Sequence, residues 1–315
     1  MRTTSIGFLA VLASAAIACG PSVNGRPGGD DTGGGPDAGG DPVFPPDDSG
    51  NNGSGCTKID VLFVIDNSGS MGQEQTNLIA NFPMFITVLD QSGLDYRVAV
   101  TTTSRDYHYS MSFPIGGAIP MNTGAGEDGA MMKPAACNMT KRWIDKGDPN
   151  PAQTFSCLAN VGTSGNSDEM PLGAMRDAFE DRMADNTNAG FKRADALLGV
   201  VFLTDENDCS YEQSVTLGIG QSLCVSMQEP PQNYVAFLDQ YTGHRSRWAA
   251  AAIAGMGPGS CTSTFGGAEE ATRLKDFVMG AGAQARMSSI CDGDLSVSLA
   301  QTLMLFKSAC GGVIF

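Results

Sequence analysis

The chain is short of positive charge: its 315 residues carry 19 lysines and arginines against 34 aspartates and glutamates, a formal net charge of −15. No basic stripe is present to meet a phosphate backbone, which excludes nucleic acid as a partner. Histidine is scarcer still. His108 and His244 are the only two, and no Cys-x-x-Cys pair occurs, so a zinc cluster lacks a ligand set. Long apolar runs are missing too: the stretch from Ile6 to Ala18 is too short to span a bilayer, and no later segment is longer and as apolar. After the first predicted strand there is no Gly-x-Ser-x-Gly elbow, Walker-type loop or dinucleotide Gly-x-Gly-x-x-Gly. Two isolated histidines also leave a serine nucleophile without a base, and the chain is expected not to be an enzyme. Internal repeats are absent.

What is present begins with export. Met1-Arg2-Thr3-Thr4-Ser5 ahead of the apolar run has the charged start and short core of a secretory signal over residues 1–18. Its end, Ala16-Ile17-Ala18-Cys19, resembles a bacterial lipobox, although Ala16 stands where leucine is usual. That resemblance implies cleavage before Cys19, a lipid on its sulfur, and membrane attachment by the lipid anchor alone. Gly20 resembles the residue found after the cysteine in lipoproteins passed to an outer membrane, so an envelope location, periplasmic or surface, is expected. Residues 19–55 are Gly, Pro, Asp, Ser and Asn with almost nothing apolar; such a segment cannot offset its conformational entropy by burial and is expected to be a disordered tether.

With Cys19 set aside, the cysteines are Cys56, Cys137, Cys157, Cys209, Cys224, Cys261, Cys291 and Cys310, an even set in an exported chain and hence a disulfide framework. Sequence leaves their connectivity open. Nearest-neighbour pairing joins Cys137 to Cys157, Cys209 to Cys224 and Cys261 to Cys291, leaving Cys56 with Cys310.

Residues 56–315 alternate strand and helix patterns. Val61 to Ile65 is an unbroken apolar run, and the predicted strand Ala196 to Thr204 is apolar up to Leu203, the mark of strands covered on both faces of a parallel sheet. Tyr96–Thr103 and Trp248–Ala254 read as further strands. Helical spacing appears over residues 73–89, with Pro83 expected to kink or divide the helix, over Met170 to Met183, from Gln232 to Tyr241, around Leu274 and Phe277, and from Leu295 to Phe306. Residues 105–160 show no clear period and read as an insertion pinned by a disulfide. The expected class is α/β, with a doubly wound, mostly parallel central sheet and helices on both faces.

The densest chemistry sits where the first strand runs out, at Asp66-Asn67-Ser68-Gly69-Ser70. One carboxylate and two hydroxyls at alternate positions are hard oxygen ligands, placed at the carboxyl end of a strand where open α/β sheets bind ligands. As an isolated motif it is also an ordinary polar turn. Two further pieces follow in order, Gly162-Thr163 before a helix and Leu203-Thr204-Asp205 closing a strand. Together the three resemble the von Willebrand factor type A (VWA) family, a Rossmann-like fold with a metal-ion-dependent adhesion site (MIDAS). The resemblance implies Ser68 and Ser70 as direct ligands of a divalent cation and Thr163 as a direct or conditional one. Asp66 and Asp205 would act mainly through water. Mg²⁺ is the expected ion, with Mn²⁺ and Ca²⁺ as alternatives, and the expected partner is a protein offering a carboxylate. Ser164 and Ser167 compete with Thr163 for its role. A structural or scaffolding envelope lipoprotein with an unused metal site is the other reading.

Other groups read more blandly. Glu206, Asn207 and Asp208 extend the acidic turn, either as a second cation site or, favoured here, as a helix-capping turn held by Cys209. Met111, Met121, Met131, Met132 and Met139 read as gap fillers, and the two histidines as surface or structural groups.

Overall fold

The computed structural model describes residues 55–122, 124–211, 215–226 and 228–313. The signal, Cys19 and all but the last residue of the expected tether lie outside them.

Among the described residues, eleven strands run in chain order: β1 (Lys58–Ile65), β2 (Asp95–Thr102), β3 (His108–Phe113), β4 (Gly117–Asn122), β5 (Ile144–Asp145), β6 (Leu197–Leu203), β7 (Thr216–Leu217), β8 (Trp248–Ala254), β9 (Cys261–Ser263), β10 (Gly266–Ala268) and β11 (Ala285–Ser289). The helices are α1 (Gly72–Gln91), α2 (Pro151–Ala159), α3 (Pro171–Phe179), α4 (Asp181–Ala184), α5 (Leu223–Ser226), α6 (Pro231–Thr242), α7 (Thr272–Ala281) and α8 (Leu295–Gly311). Six strands form the central sheet in the order β11-β8-β6-β1-β2-β5, parallel throughout except that β5 runs antiparallel to β2. The molecule is thus mixed α/β with a mostly parallel sheet, as its apolar runs predict.

Both faces are covered, which is why β1 and β6 are apolar without alternation. Phe63 of β1 meets Phe82 and Phe85 of α1 and Phe155 of α2 edge-on, with centroids 5.0–5.6 Å apart. Its neighbours Leu62 and Val64 turn to the opposite core, shared with Leu172 and Met175 of α3, Tyr234 and Leu238 of α6 and Phe277 of α7. Gly199 lies mid-strand in β6 because a Cβ there would stand 2.9 Å from the Phe306 ring of α8.

Pro83 does not divide α1, which runs unbroken from Gly72 to Gln91. The proline faces solvent while Phe82, Phe85 and Ile86 are buried beside it, so packing on both sides of the missing amide donor holds the helix together. The Met170–Met183 pattern resolves into two helices, α3 and α4, with Glu180 between them. Residues 105–160 carry more order than their aperiodic sequence suggests. Strands β3 and β4 form a hairpin that, with β7, makes a separate three-stranded sheet. The segment then returns, supplying β5 to the central sheet and α2 to its core, where Phe155 stacks on Phe82. Strand β11 at the sheet edge has no counterpart in the sequence reading, because Ala-Arg-Met-Ser-Ser lacks an apolar run.

Four disulfides join the cysteines as nearest-neighbour pairing expects: Cys56–Cys310, Cys137–Cys157, Cys209–Cys224 and Cys261–Cys291, with Cα atoms 4.6–6.1 Å apart. This framework fits an extracytoplasmic, oxidising compartment. No described helix is long and apolar enough to cross a membrane.

Candidate metal site at the strand tips

The backbone of Asp66 extends β1 by one bond, its amide donating to Leu203 O of β6 at 2.9 Å. The chain then turns away into α1, and the Asp66 side chain folds back to brace that turn. Its Oδ1 accepts from the Ser68 amide at 2.7 Å and its Oδ2 from Thr204 Oγ1 at 2.6 Å. Ser68 Oγ and Ser70 Oγ lie 3.1 Å apart, so the two hydroxyls share one side of the turn. Ser68 is buried and Ser70 exposed.

The second loop is tied to the first by main-chain and amide contacts. Gln75, one turn into α1, donates from Nε2 to Asp66 O at 2.9 Å and to Gly162 O at 2.8 Å. Gly165 N donates to Asn67 O at 2.7 Å, and a Cβ at Gly165 would stand 2.4 Å from Asn67 Oδ1, so the approach needs glycine. Ser104, at the tip of β2, donates to that same Asn67 Oδ1 at 2.8 Å. Thr163 is thereby held next to the turn, its methyl 3.7 Å from the position a Cβ on Gly72 would take, but the residue is exposed. Ser164 and Ser167 are exposed as well. The 105–160 segment abuts this loop: Gly126 packs on the Ser104 backbone, and Gly124 lies beside Asn166.

Asp205 follows β6 and is hydrogen-bonded to Ser70. Asp66, Ser68, Ser70 and Asp205 therefore converge, and Thr163 borders them. Two buried carboxylates that the sequence reading did not single out join the group. Glu74 lies in the first turn of α1, where an acid ordinarily just complements the helix dipole. Glu169 immediately precedes the Met170-Pro171 entry to α3. Neither position carries a local signal, since only the folded chain brings them to the strand tips.

Asp66 is 0 % exposed, Glu74 and Glu169 2 %, and Asp205 4 %, yet among the described residues no lysine or arginine is a main influence on any of the four. Burial is the first cause pushing each carboxyl above its ordinary value, and the group repels itself besides. Asp205 is pushed up to about 7 by burial, against the hydrogen bond from Ser70 and with the charges of Asp66, Glu74 and Glu206 adding to the rise. Burial raises Asp66 against the hydrogen bonds from Thr204 and Ser68. Glu169 is raised by burial and then by its contact with Glu206. One oxygen on each of Glu74, Glu169 and Asp205 is buried without a hydrogen-bond partner. Buried carboxyl oxygens of this kind, which a cation would hold in their ionised form, fit a hard divalent ion.

The remaining polar groups have ordinary duties. Asn207 Oδ1 accepts from Arg273 N near the start of α7, and Asp208 Oδ1 accepts from Leu172 N at the start of α3, as the capping reading expects. His108 is exposed, 3.9 Å from Asp106, and His244 Nδ1 lies 2.9 Å from Ser246 Oγ. Met131 is in the core.

No protein-family model matches the chain, and no curated protein matches it. Among solved structures it is similar to proximal thread matrix protein 1 from the mussel byssus, at 10% identity and a TM-score of 0.41 over 80% of this chain and 49% of that one. It is also similar to the pilus adhesin SpaC from Lactobacillus rhamnosus GG. The open conformation of SpaC aligns at 13% identity with a TM-score of 0.43, over 80% of this chain and 30% of the adhesin. The chain thus spans about half the length of the mussel protein and under a third of the adhesin.

Proposed function

We propose that the chain is a cell-envelope binding module, lipid-anchored through Cys19, that recognises a protein carboxylate through a divalent cation at the tips of β1 and β6. The observation that carries this reading is a set of buried carboxylates, Asp66, Glu74, Glu169 and Asp205, in no ion pair with a described basic residue and with a partnerless oxygen on each but Asp66, beside the hydroxyls of Ser68 and Ser70. In this reading the domain is VWA-like and the site MIDAS-like.

Ser68 and Ser70 would offer neutral hydroxyls directly. Asp66 is committed to Ser68 N and Thr204, and would hold the turn and bound water rather than the ion itself. Asp205 faces Ser70 and orients its hydroxyl. Thr163, exposed at the rim, would join as a further hydroxyl when a ligand arrives. The bound ion supplies a positive centre that accepts an anionic oxygen from outside, and Mg²⁺, which keeps several waters, suits a site with few direct protein ligands. Exposure of Ser70 and Thr163 leaves the approach open. In this reading the site is non-catalytic, and neither histidine serves it as a base: His108 is exposed near Asp106 and His244 contacts Ser246.

Calorimetric titration with Mg²⁺ tests the reading: binding in the wild type, lost in Asp66→Ala and Ser70→Ala, supports it, and a flat wild-type isotherm sinks it. A second reading, a scaffolding lipoprotein with an unused site, is favoured by one observation: both oxygens of Asp66 already have donors. Partner capture from envelope extract that is unchanged by chelator would select that second reading.

A further inference from the structure

A separate cavity of about 240 Å³ opens beside the strand tips, between the acidic turn after β6, the loop before α3 and the Cys209–Cys224 disulfide. Asp168, Glu169, Glu206, Asp208 and Glu269 line it, and no described residue of its wall is basic. One of these carboxylates is spent. Asp208 is ion-paired to Arg273 at 3.1 Å and caps α3. Glu269 is partly committed, its Oε1 accepting from Asn207 N at 2.8 Å.

Glu169 and Glu206 are the unexplained pair. Glu206 belongs to the turn but accepts no helix amide, unlike Asn207 and Asp208. Its side chain is within hydrogen-bonding distance of Glu169, which sets two carboxyl groups against each other. Glu169 is 2 % exposed, and its Oε1 is buried without a partner. Two touching carboxylates require a proton or a cation between them, and a buried partnerless oxygen is a further acceptor facing no donor.

We propose that this cavity is a second cation site, for Ca²⁺, with Glu169 and Glu206 as its protein carboxylates and Asp168 and Glu269 at its rim. Ca²⁺ accepts six to eight oxygens in flexible geometry, which suits several carboxylates around a space wide enough for water ligands. The sulfurs of Cys209 and Cys224, though close to Asp168, are joined to each other and are not ligands. Glu169 borders both sites, while Asp66, Ser68, Ser70 and Asp205 belong to the first alone, so S70A separates the two.

The test is calorimetric titration of the full chain with Ca²⁺ alone, in the wild type, in E169Q/E206Q and in S70A. The expected result is one Ca²⁺ event that survives S70A and is weakened at least tenfold in E169Q/E206Q. A thermal melt guards against misfolding. The paired glutamines relieve the repulsion, so the double variant is expected to melt no lower than wild type in chelator while losing the Ca²⁺-induced rise. Three outcomes overturn the proposal: no Ca²⁺ binding in the wild type, binding unaffected in E169Q/E206Q, or an event abolished equally by S70A, which would assign Glu169 to the first site. Failure of the first site alone reads differently, as loss of Mg²⁺ binding with the Ca²⁺ event intact.

Discussion

Strand β1 carries a fully buried aspartate near each end, and the two are neutralised in different ways. Asp60, near the start, is held by Arg193, whose Nε and backbone N reach its two oxygens at 2.8 and 2.6 Å. Asp66, just past the end, has only a hydroxyl and an amide. The contrast extends through the molecule. Asp177 is held by Arg105, Asp208 by Arg273 and Glu229 by Arg176. Around Asp66 lie Glu74, Glu169 and Asp205, and among the described residues no arginine is a main influence on any of them. Equal burial thus gives two kinds of acid. The first kind is closed, its charge balanced by the fold, and serves architecture. The second is open, and its balance has to come from protons or from a cation taken up from solution.

The largest expected effects come from breaking the closed kind. Arg193→Met strands Asp60 as a buried uncompensated charge and is expected to cost about 3–5 kcal/mol in a urea titration, leaving Mg²⁺ affinity as in the wild type. Removing the longest cross-link by Cys56→Ala with Cys310→Ala, which frees a separation of 254 residues, should cost about 2–5 kcal/mol. Equal stability in that variant would show that α8 and β1 are held by packing alone.

Opening the other kind further should behave in reverse. Asp66→Asn keeps the shape and loses one of two good hydrogen bonds, so stability should change by no more than about 2 kcal/mol while Mg²⁺ binding falls beyond detection. A stability loss like that of Arg193→Met would erase the distinction.

The pH dependence sharpens it. Asp205 has its folded value raised to about 7, above the ordinary carboxylate value of 3.8, so the folded state holds its proton more tightly than the unfolded state. Its contribution in chelator is therefore fully present below about pH 4 and is lost as pH rises toward 7. Melting temperature should fall across that window by about 2–4 °C for each kcal/mol, with a shallower slope in Asp205→Asn and in saturating Mg²⁺. A slope unchanged by Asp205→Asn would locate the titration elsewhere. The smallest effect belongs to Thr163→Ala: as an exposed rim hydroxyl, it should shift Mg²⁺ affinity by less than about tenfold.

Much of the framework was legible because burial on both faces leaves a local trace. Val61–Ile65 and Leu197–Leu203 are apolar throughout, and helix periods recur between them. Three disulfide pairs follow from proximity along the chain, and Cys56–Cys310 is what they leave. Asp66, Ser68 and Ser70 were visible through their alternate spacing at a strand end, and Asp205 through its place after β6. Less legible were elements whose stability is borrowed. Helix α2 buries only Phe155, Leu158 and Ala159, and β11 has one buried residue; each exists because a neighbour supplies the missing surface. Pro83 leaves α1 undivided for the same reason, since packing by Phe82 and Phe85 outweighs a lost hydrogen bond.

By itself the sequence determined the α/β class, the disulfide framework and the motif after β1, since these depend on residue type and short spacing. Only the tertiary structure decided which acids stand without a basic partner. Glu74 and Glu169 look like ordinary helix-entry residues until α1 and α3 carry them to the tips of β1 and β6. Charge balance is a property of distance in space. No local pattern records that Asp60 ends beside Arg193, 133 residues away, while Asp66 ends among other carboxylates.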